Sequence, residues 1–445
     1  MRILSRSSAF SRVTAIAEQR KLHEAFRWLH LHGQQMTQWQ TDLVRIPAPP
    51  FGEAARSAWM ADRFREAGLG RIEIDSVGNV FGIIAAADSG NPGSDSEDMD
   101  PGPVVLLSAH LDTVFPADTP LEPVIDPEDG DRIVAPGICD NACGVIGMLA
   151  IAHALVQSGM QLETTLVFCG NVGEEGEGNL RGVRHLYQYS RYSGRVWAHL
   201  ILDGAGTEMA VTQGLGSRRY QVRIEGPGGH SFTDAGVPNP IATLALALVK
   251  LAEAPLQAIG DEARATLNVG TISGGTSVNT IPEFAAASVE FRSTDVRPLV
   301  RLEVALYRAV EDAVEAANGR PSARSGARVG GLNGSKSAAA LRYSIEKIGD
   351  RPAADLAEDS PLMETIRAVD RHLGLRTDLR LGSTDANLPL SLGVQAVSLG
   401  AGGEGGGAHT RGEWYSAKGR ELGLRRVLLI ALAMLDWTAA DSKAV

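Results

Sequence analysis

Apolar residues along this chain fall into two textures. Through roughly the first 213 positions, continuous runs such as PVVLLSAH (103–110), TTLVFCGNV (164–172) and AHLILDG (198–204) alternate with helical patterns, and VQAVSLG returns the same texture at 394–400. Strands apolar at every position belong to a parallel sheet covered on both faces. ACGVIGMLAIAHALVQSG (142–159) predicts a largely buried helix ending at Gly159, and EAARSAWMADRFREAGLG (53–70) a helix stopped by Gly68. RIEIDSVGNVFGIIA (71–85) predicts a hairpin at the sheet edge. The turn-formers and acids of ADSGNPGSDSEDMDPG (87–102) predict a surface loop, and the first twenty or so residues an exposed amphipathic helix.

From about residue 214 the pattern changes to alternation, as in SRRYQVRIEGPGG (217–229), which suits a half-exposed antiparallel strand. Ile241, Leu244, Ala245, Leu248 and Leu251 follow at helical spacing. Strands at 264–275 and 284–294, a helix at about 296–317 and a strand at 339–349 complete a βαββαβ order, that of a compact two-layer α+β (ferredoxin-like) domain. A helix at 361–374 returns the chain to the larger sheet. The expected organisation is α/β, with a catalytic domain in two parts, 1–213 and 351–445, and an inserted domain at 214–350.

Composition narrows the partners. With 445 residues, 44% hydrophobic and 21% charged, the chain suits two domains or more, and its net charge of −11 argues against nucleic acid. No uninterrupted apolar run of about 18 residues is present, so no membrane span is expected. The first residues lack a continuous apolar core of the secretory type, although their Arg/Ser bias is shared by organellar transit peptides. Cys139, Cys143 and Cys169 are too few and odd in number for a disulfide framework. They read as small buried hydrophobes, and the chain as cytoplasmic.

The chemistry gathers at the strand ends. The first run ends at His110, with Asp112 two residues on; Asp140 precedes the buried helix; the second ends at Glu174 and Glu175; the third at Asp203; and the fourth leads through GAGGEGGGAHT to His409. In open α/β sheets functional groups collect beyond the carboxyl ends of the strands. Taken singly, each group has a plain reading as a solvated cap, a surface histidine or a hydrogen-bonded pair. The glycine-rich 400–407 lacks the Lys-Ser/Thr of a phosphate loop. Together they form a donor set suited to zinc, too large for one tetrahedral ion and adequate for two ions about 3.5–4 Å apart that share a carboxylate. Adjacent glutamates tolerate one another where one binds a dication and its neighbour acts as a base on water.

LLSAHLDTVFP, GICDNACGV, NVGEEGEGNLRG, LILDG, GPGGHSF, GGTSVNTIPEFAAASVEFRS and GSTDAN…GAHTRGEW resemble, in order, the signatures of the M20 family of zinc peptidases and amidohydrolases, over about residues 40–435. Within it the chain is most similar to the peptidase T-like (tripeptide aminopeptidase) branch. The resemblance implies two Zn²⁺ per subunit, with Co²⁺ or Mn²⁺ suited to the same donors. His110 and Asp203 would hold one ion, Glu175 and His409 the other, and Asp140 would bridge them. It also implies Glu174 as general base and acid, and Asp112 as the carboxylate fixing the His110 tautomer. His230 would stabilise the oxyanion, and Asn279 and Arg292 would bind substrate, Arg292 through a terminal carboxylate. A cis Asp140–Asn141 peptide is a further implication, although Asp140 is followed here by NACG, unlike many relatives.

Three activities are consistent with this reading. One is an exopeptidase acting on short peptides from the amino end. Another is a deacylase of N-acyl amino acids or a carboxypeptidase. The third is a non-catalytic binder on the same scaffold. The inserted domain, as a lid, could also pair with a second copy to form a homodimer, and a hinge between the domains is expected.

Overall fold

The computed structural model describes residues 8–87, 102–257, 263–319 and 340–442. The acidic stretch expected as a surface loop lies outside them apart from its two ends. The chain divides into two compact units, Met1–Gly214 with Ala354–Val445, and Leu215–Ala353.

The first unit is built on a sheet of nine strands among the described residues. From one edge its order is Gly70–Ile74, Val80–Ile84, Leu166–Asn171, Val104–His110, Val196–Leu202, Gln395–Leu399, Met209–Gly214 and Ala354–Asp355, with Asp378–Gly382 also beside Met209–Gly214. The four central strands, from Leu166–Asn171 to Gln395–Leu399, are mutually parallel. Their neighbours on either side, Val80–Ile84 and Met209–Gly214, join antiparallel. Every residue of Val104–His110 and of Leu166–Asn171 is buried, which is why these runs do not alternate.

The helix Cys143–Ser158 lies in the core and ends at Gly159, whose positive φ of 63° glycine adopts without penalty. With the turn before it, this helix is long and apolar enough to cross a membrane by length and composition, but nearly all of it is buried inside the unit. Its glycines, alanines and one histidine hide that run from a simple count of apolar residues.

The amino-terminal region also departs from expectation. It is not one exposed helix but three, Ala9–Ala17, Arg20–Leu31 and Gly33–Val44. Val13, Leu22, Leu29, Met36 and Leu43 are buried in the main core. Apolar spacing shows that a helix has a face to cover; it does not show that the face is covered by the chain's own distant parts.

In the second unit an antiparallel sheet has the order Ala265–Gly274, Phe284–Ser293, Gly216–Glu225, Arg342–Arg351. Tyr220, Val222, Ile224, Val289 and Phe291 alternate toward the helices Pro240–Ala252 and Val296–Asn318. Both helices begin at side-chain caps: Asn239 accepts from the amide of Ala242, and Asp295 from that of Arg297.

Candidate metal centre

The carboxyl ends of the parallel strands carry the site. His110 closes its strand buried, and its Nδ1 donates to the main-chain carbonyl of Asp112 at 3.1 Å. That fixes the ring so that Nε2 faces Asp140 Oδ1 at 3.1 Å and Asp203 Oδ1 at 3.8 Å. Asp140 sits in a distorted turn just before the core helix, and the Asp140–Asn141 peptide is cis. Its second oxygen lies 3.1 Å from His409 Nε2, which is itself 3.0 Å from Glu175 Oε1. His409 occupies a left-handed backbone conformation, φ 66°, at the tip of the hairpin joining Glu404–Gly406 to Trp414–Ser416. Two donor groups result, His110–Asp140–Asp203 and Asp140–Glu175–His409, with Asp140 common to both.

Glu174 and Glu175 follow Gly173, another positive-φ glycine, where the chain leaves the Leu166–Asn171 strand. Their amides both donate to the Asp112 carboxylate, Glu174 to Oδ1 at 3.0 Å and Glu175 to Oδ2 at 2.8 Å. The geometry differs here from expectation. Asp112 sets the His110 tautomer through its backbone carbonyl, while its carboxylate, 3.6 Å from Nδ1, anchors the glutamate turn. Period-two spacing places both residues on one side of the strand end without distinguishing carbonyl from carboxylate.

Opposed charges dominate the electrostatics. Burial alone would push the His110 imidazolium down, but Asp112, Asp140 and Asp203 outweigh it and hold it well above its ordinary value. The contacts with Asp140 and Glu175 push His409 up to about 10. Burial would raise the Asp140 carboxyl; the two histidines overcome that and hold it well below the usual range. So many carboxylates in one buried cluster demand positive charge between them, from protons on the histidines or from cations in their place. The donors are imidazole nitrogens and carboxylate oxygens converging within 4.8 Å in each group, which fits a divalent cation of the zinc, cobalt or manganese type in each.

Four further residues shape the site in roles that the sequence reading did not assign. Asn141 straddles Asp203: its Nδ2 donates to the Leu202 carbonyl at 2.9 Å and its Oδ1 accepts from the Gly204 amide at 3.1 Å. Gly144 is required beside it, because a Cβ there would stand 2.1 Å from Asn141 Oδ1. Arg56, wholly buried, donates to the carbonyl of Leu111, between His110 and Asp112. Asp385 is buried with Oδ2 on Asn171 Nδ2 at 2.7 Å, and burial pushes its carboxyl up to about 7. The signal for Arg56 was an arginine on the apolar face of an amphipathic helix.

The residues expected in the inserted domain are placed unequally. His230 is exposed, and its Nδ1 accepts from the amides of Phe232 and Thr233 at 3.2 and 3.3 Å, so Nε2 carries the ring proton. It pairs with the strand Thr280–Ile281, and the Asn279 carbonyl accepts from the amide of Ser231 at 3.0 Å. His230 and Asn279 are thus brought together. Arg292 is not with them. It lies eight residues along its strand from Phe284, roughly 27 Å at the usual rise. Its guanidinium is held bidentately by Glu290, with contacts of 2.8 and 3.0 Å.

The profile of the peptidase family M20/M25/M40 matches residues 106–433, and the chain belongs to that family. Among curated relatives, a probable carboxypeptidase of Paracoccidioides lutzii is 27% identical over 227 residues, 48% of this chain and 50% of the relative. The chain spans about half the length of the curated relatives it matches. Among solved structures, a tripeptidase from Staphylococcus aureus superposes with a TM-score of 0.69 at 18% identity, covering 91% of this chain and 98% of that one. A dinuclear metal-binding M20 peptidase from Bacillus subtilis gives 0.61 at 14% identity, covering 92% and 99%. At these identities the likeness to solved structures is one of fold, an α/β catalytic unit with a separate antiparallel α+β unit.

Proposed function

We propose that this chain is a two-metal exopeptidase that removes residues from the amino end of short peptides. The observation that carries the reading is the sharing of Asp140 between two donor groups, with Glu174 held next to them by Asp112. His110 and Asp203 hold one divalent cation in this proposal, Glu175 and His409 the other, and Asp140 serves both. Bound there, the cations would lower the pKa of water and polarise the scissile carbonyl.

The chain's own residues supply the rest. Glu174 takes the proton from the attacking water and delivers it to the leaving amine nitrogen. Its buried position and the anchoring of its amide by Asp112 keep that carboxylate in one place. His230 presents an Nε2 proton suited to an oxyanion, because its Nδ1 is already an acceptor. Asn279 shares its loop and is proposed to contact substrate. With its fork on Glu290, Arg292 offers weak support for recognition of a terminal carboxylate, so the carboxypeptidase reading rests chiefly on relatives' descriptions.

The test is hydrolysis of one tripeptide, free and N-acetylated, by the zinc-loaded protein. Cleavage of the free form alone, releasing its first residue, supports the proposal. Cleavage of the acetylated form moves the activity to a deacylase or a carboxypeptidase, according to the bond broken.

A further inference from the structure

Glu413 lies four residues beyond His409 and is completely buried. Its carboxylate is filled by backbone amides of a single turn. Oε1 accepts from Cys139 and Asp140, each at 2.7 Å, and Oε2 accepts from Gly137 at 3.0 Å. Its own carbonyl accepts from the amide of Ala135 at 2.9 Å. Three convergent amides make a small anion cradle, and here its occupant is a side chain from the other end of the sequence. The same hairpin therefore does two things. At its tip it offers His409 Nε2 to Asp140 Oδ2, and at its base it grips the backbone that carries Asp140.

We propose that Glu413 is a positioning residue that sets the bridging carboxylate of Asp140 in register with His409, and thereby sets the affinity and geometry of the metal pair. The inference rests on the metal-centre reading above. Its physical basis is short and local. The Asp140 carboxylate must reach His110 on one side and His409 on the other, 3.1 Å from each, so a small rotation of its backbone lengthens one contact as it shortens the other. Glu413 fixes that rotation through the Asp140 amide itself, one residue before the cis peptide, and through the amides of Cys139 and Gly137 ahead of it. Charge-assisted hydrogen bonds of this length hold direction as well as distance. Because the grip comes from the residue that leads into the strand Trp414–Ser416 after His409, Asp140 and His409 are tied to the same hairpin.

The test uses the full chain stripped of metal and titrated with Co²⁺, comparing wild type, Glu413→Gln and Glu413→Ala. Glutamine keeps one acceptor oxygen, so it should retain part of the grip. The expected result is Co²⁺ affinity weakened about 10- to 100-fold, as for other partners of metal ligands. The visible spectrum of the Co²⁺ protein should change, and kcat should fall at nearly constant KM, with glutamine milder than alanine. Should the alanine variant not fold, the glutamine variant decides. A glutamine variant with a lowered metal-free melting temperature but wild-type Co²⁺ affinity and spectrum would show a purely structural role and overturn the proposal. A wild-type protein that binds no Co²⁺ would instead sink the metal-centre reading, and this inference with it.

Discussion

Asp112 Oδ2 accepts from the backbone amide of Glu175 at 2.8 Å, while Oδ1 accepts from Glu174 at 3.0 Å. One buried carboxylate thus ties the end of the Val104–His110 strand to the turn that follows Leu166–Asn171 and holds the backbone of two adjacent glutamates.

Asp112→Ala leaves two buried amides without acceptors, at about 1–3 kcal/mol each. Urea unfolding should show a loss of about 2–6 kcal/mol, and turnover should drop by at least tenfold as the glutamate turn loosens. Asp112→Asn keeps one acceptor and should fall between. A variant with wild-type stability and wild-type turnover would remove Asp112 from both roles.

The two glutamates should separate cleanly. Glu174→Gln is expected to keep its metal by elemental analysis while kcat falls about 10²- to 10⁴-fold, the usual range for a lost general base. Glu175→Gln should instead lose one equivalent of metal, because Glu175 Oε1 stands 3.0 Å from His409 Nε2 in a donor group. If both variants retain two equivalents, Glu175 is not a ligand.

Much of this site was legible because several histidines and carboxylates coincide at the carboxyl edge of one parallel sheet, where functional groups collect. His110, Glu175, Asp203 and His409, which follow buried strands, come together with Asp140, which precedes the buried helix. The order of elements in the inserted domain also follows from its alternation, since polar and apolar positions there report a sheet with one covered face. The N-terminal helices were misjudged, as their burial depends on distant helices: Arg20–Leu31 and Gly33–Val44 pack on Cys143–Ser158, and Ala9–Ala17 on Pro361–Leu373 and Arg420–Ser442. Asn141 and Glu413 were invisible for a related reason: each acts on backbone groups of remote segments, and a sequence carries no mark for a main-chain partner. Arg292 was read from the resemblance, and its salt bridge to Glu290, two positions before it on the same strand, came only with the structure.

The outer strand of the inserted unit offers a test of self-association. Ala265–Gly274 pairs on one side only among the described residues, and most of it is exposed, Ile272 included at 60%. An unprotected edge with apolar side chains is a template for a second strand, and a two-fold pairing would close it. If a dimer forms here, Ile272→Lys should shift the mass in light scattering from twice that of the chain to once, with little change in melting temperature. A wild-type protein that is monomeric at tens of micromolar would discard this pairing.

His199 gives a pH dependence separate from the metal donors. It is completely buried in the Val196–Leu202 strand, between Ser108 Oγ at 2.8 Å and the Tyr187 hydroxyl at 3.1 Å. Burial pushes its imidazolium down to about 3. The unfolded chain takes up a proton at this residue near pH 6.5, whereas the folded chain declines it until about pH 3. Its contribution is therefore fully present above about pH 6.5 and is lost as the pH falls through that window, with a slope approaching about 1.4 kcal/mol per pH unit. Other groups titrate over the same range, so the informative quantity is a difference between two proteins. His199→Gln retains polar atoms for Ser108 and Tyr187 but has no proton to refuse. Urea unfolding at pH 7.5 and pH 5 should show wild type losing about 2 kcal/mol more than the variant over that interval. Equal losses in the two proteins would mean that His199 is protonated in the fold, and that its two hydroxyl neighbours accept rather than donate.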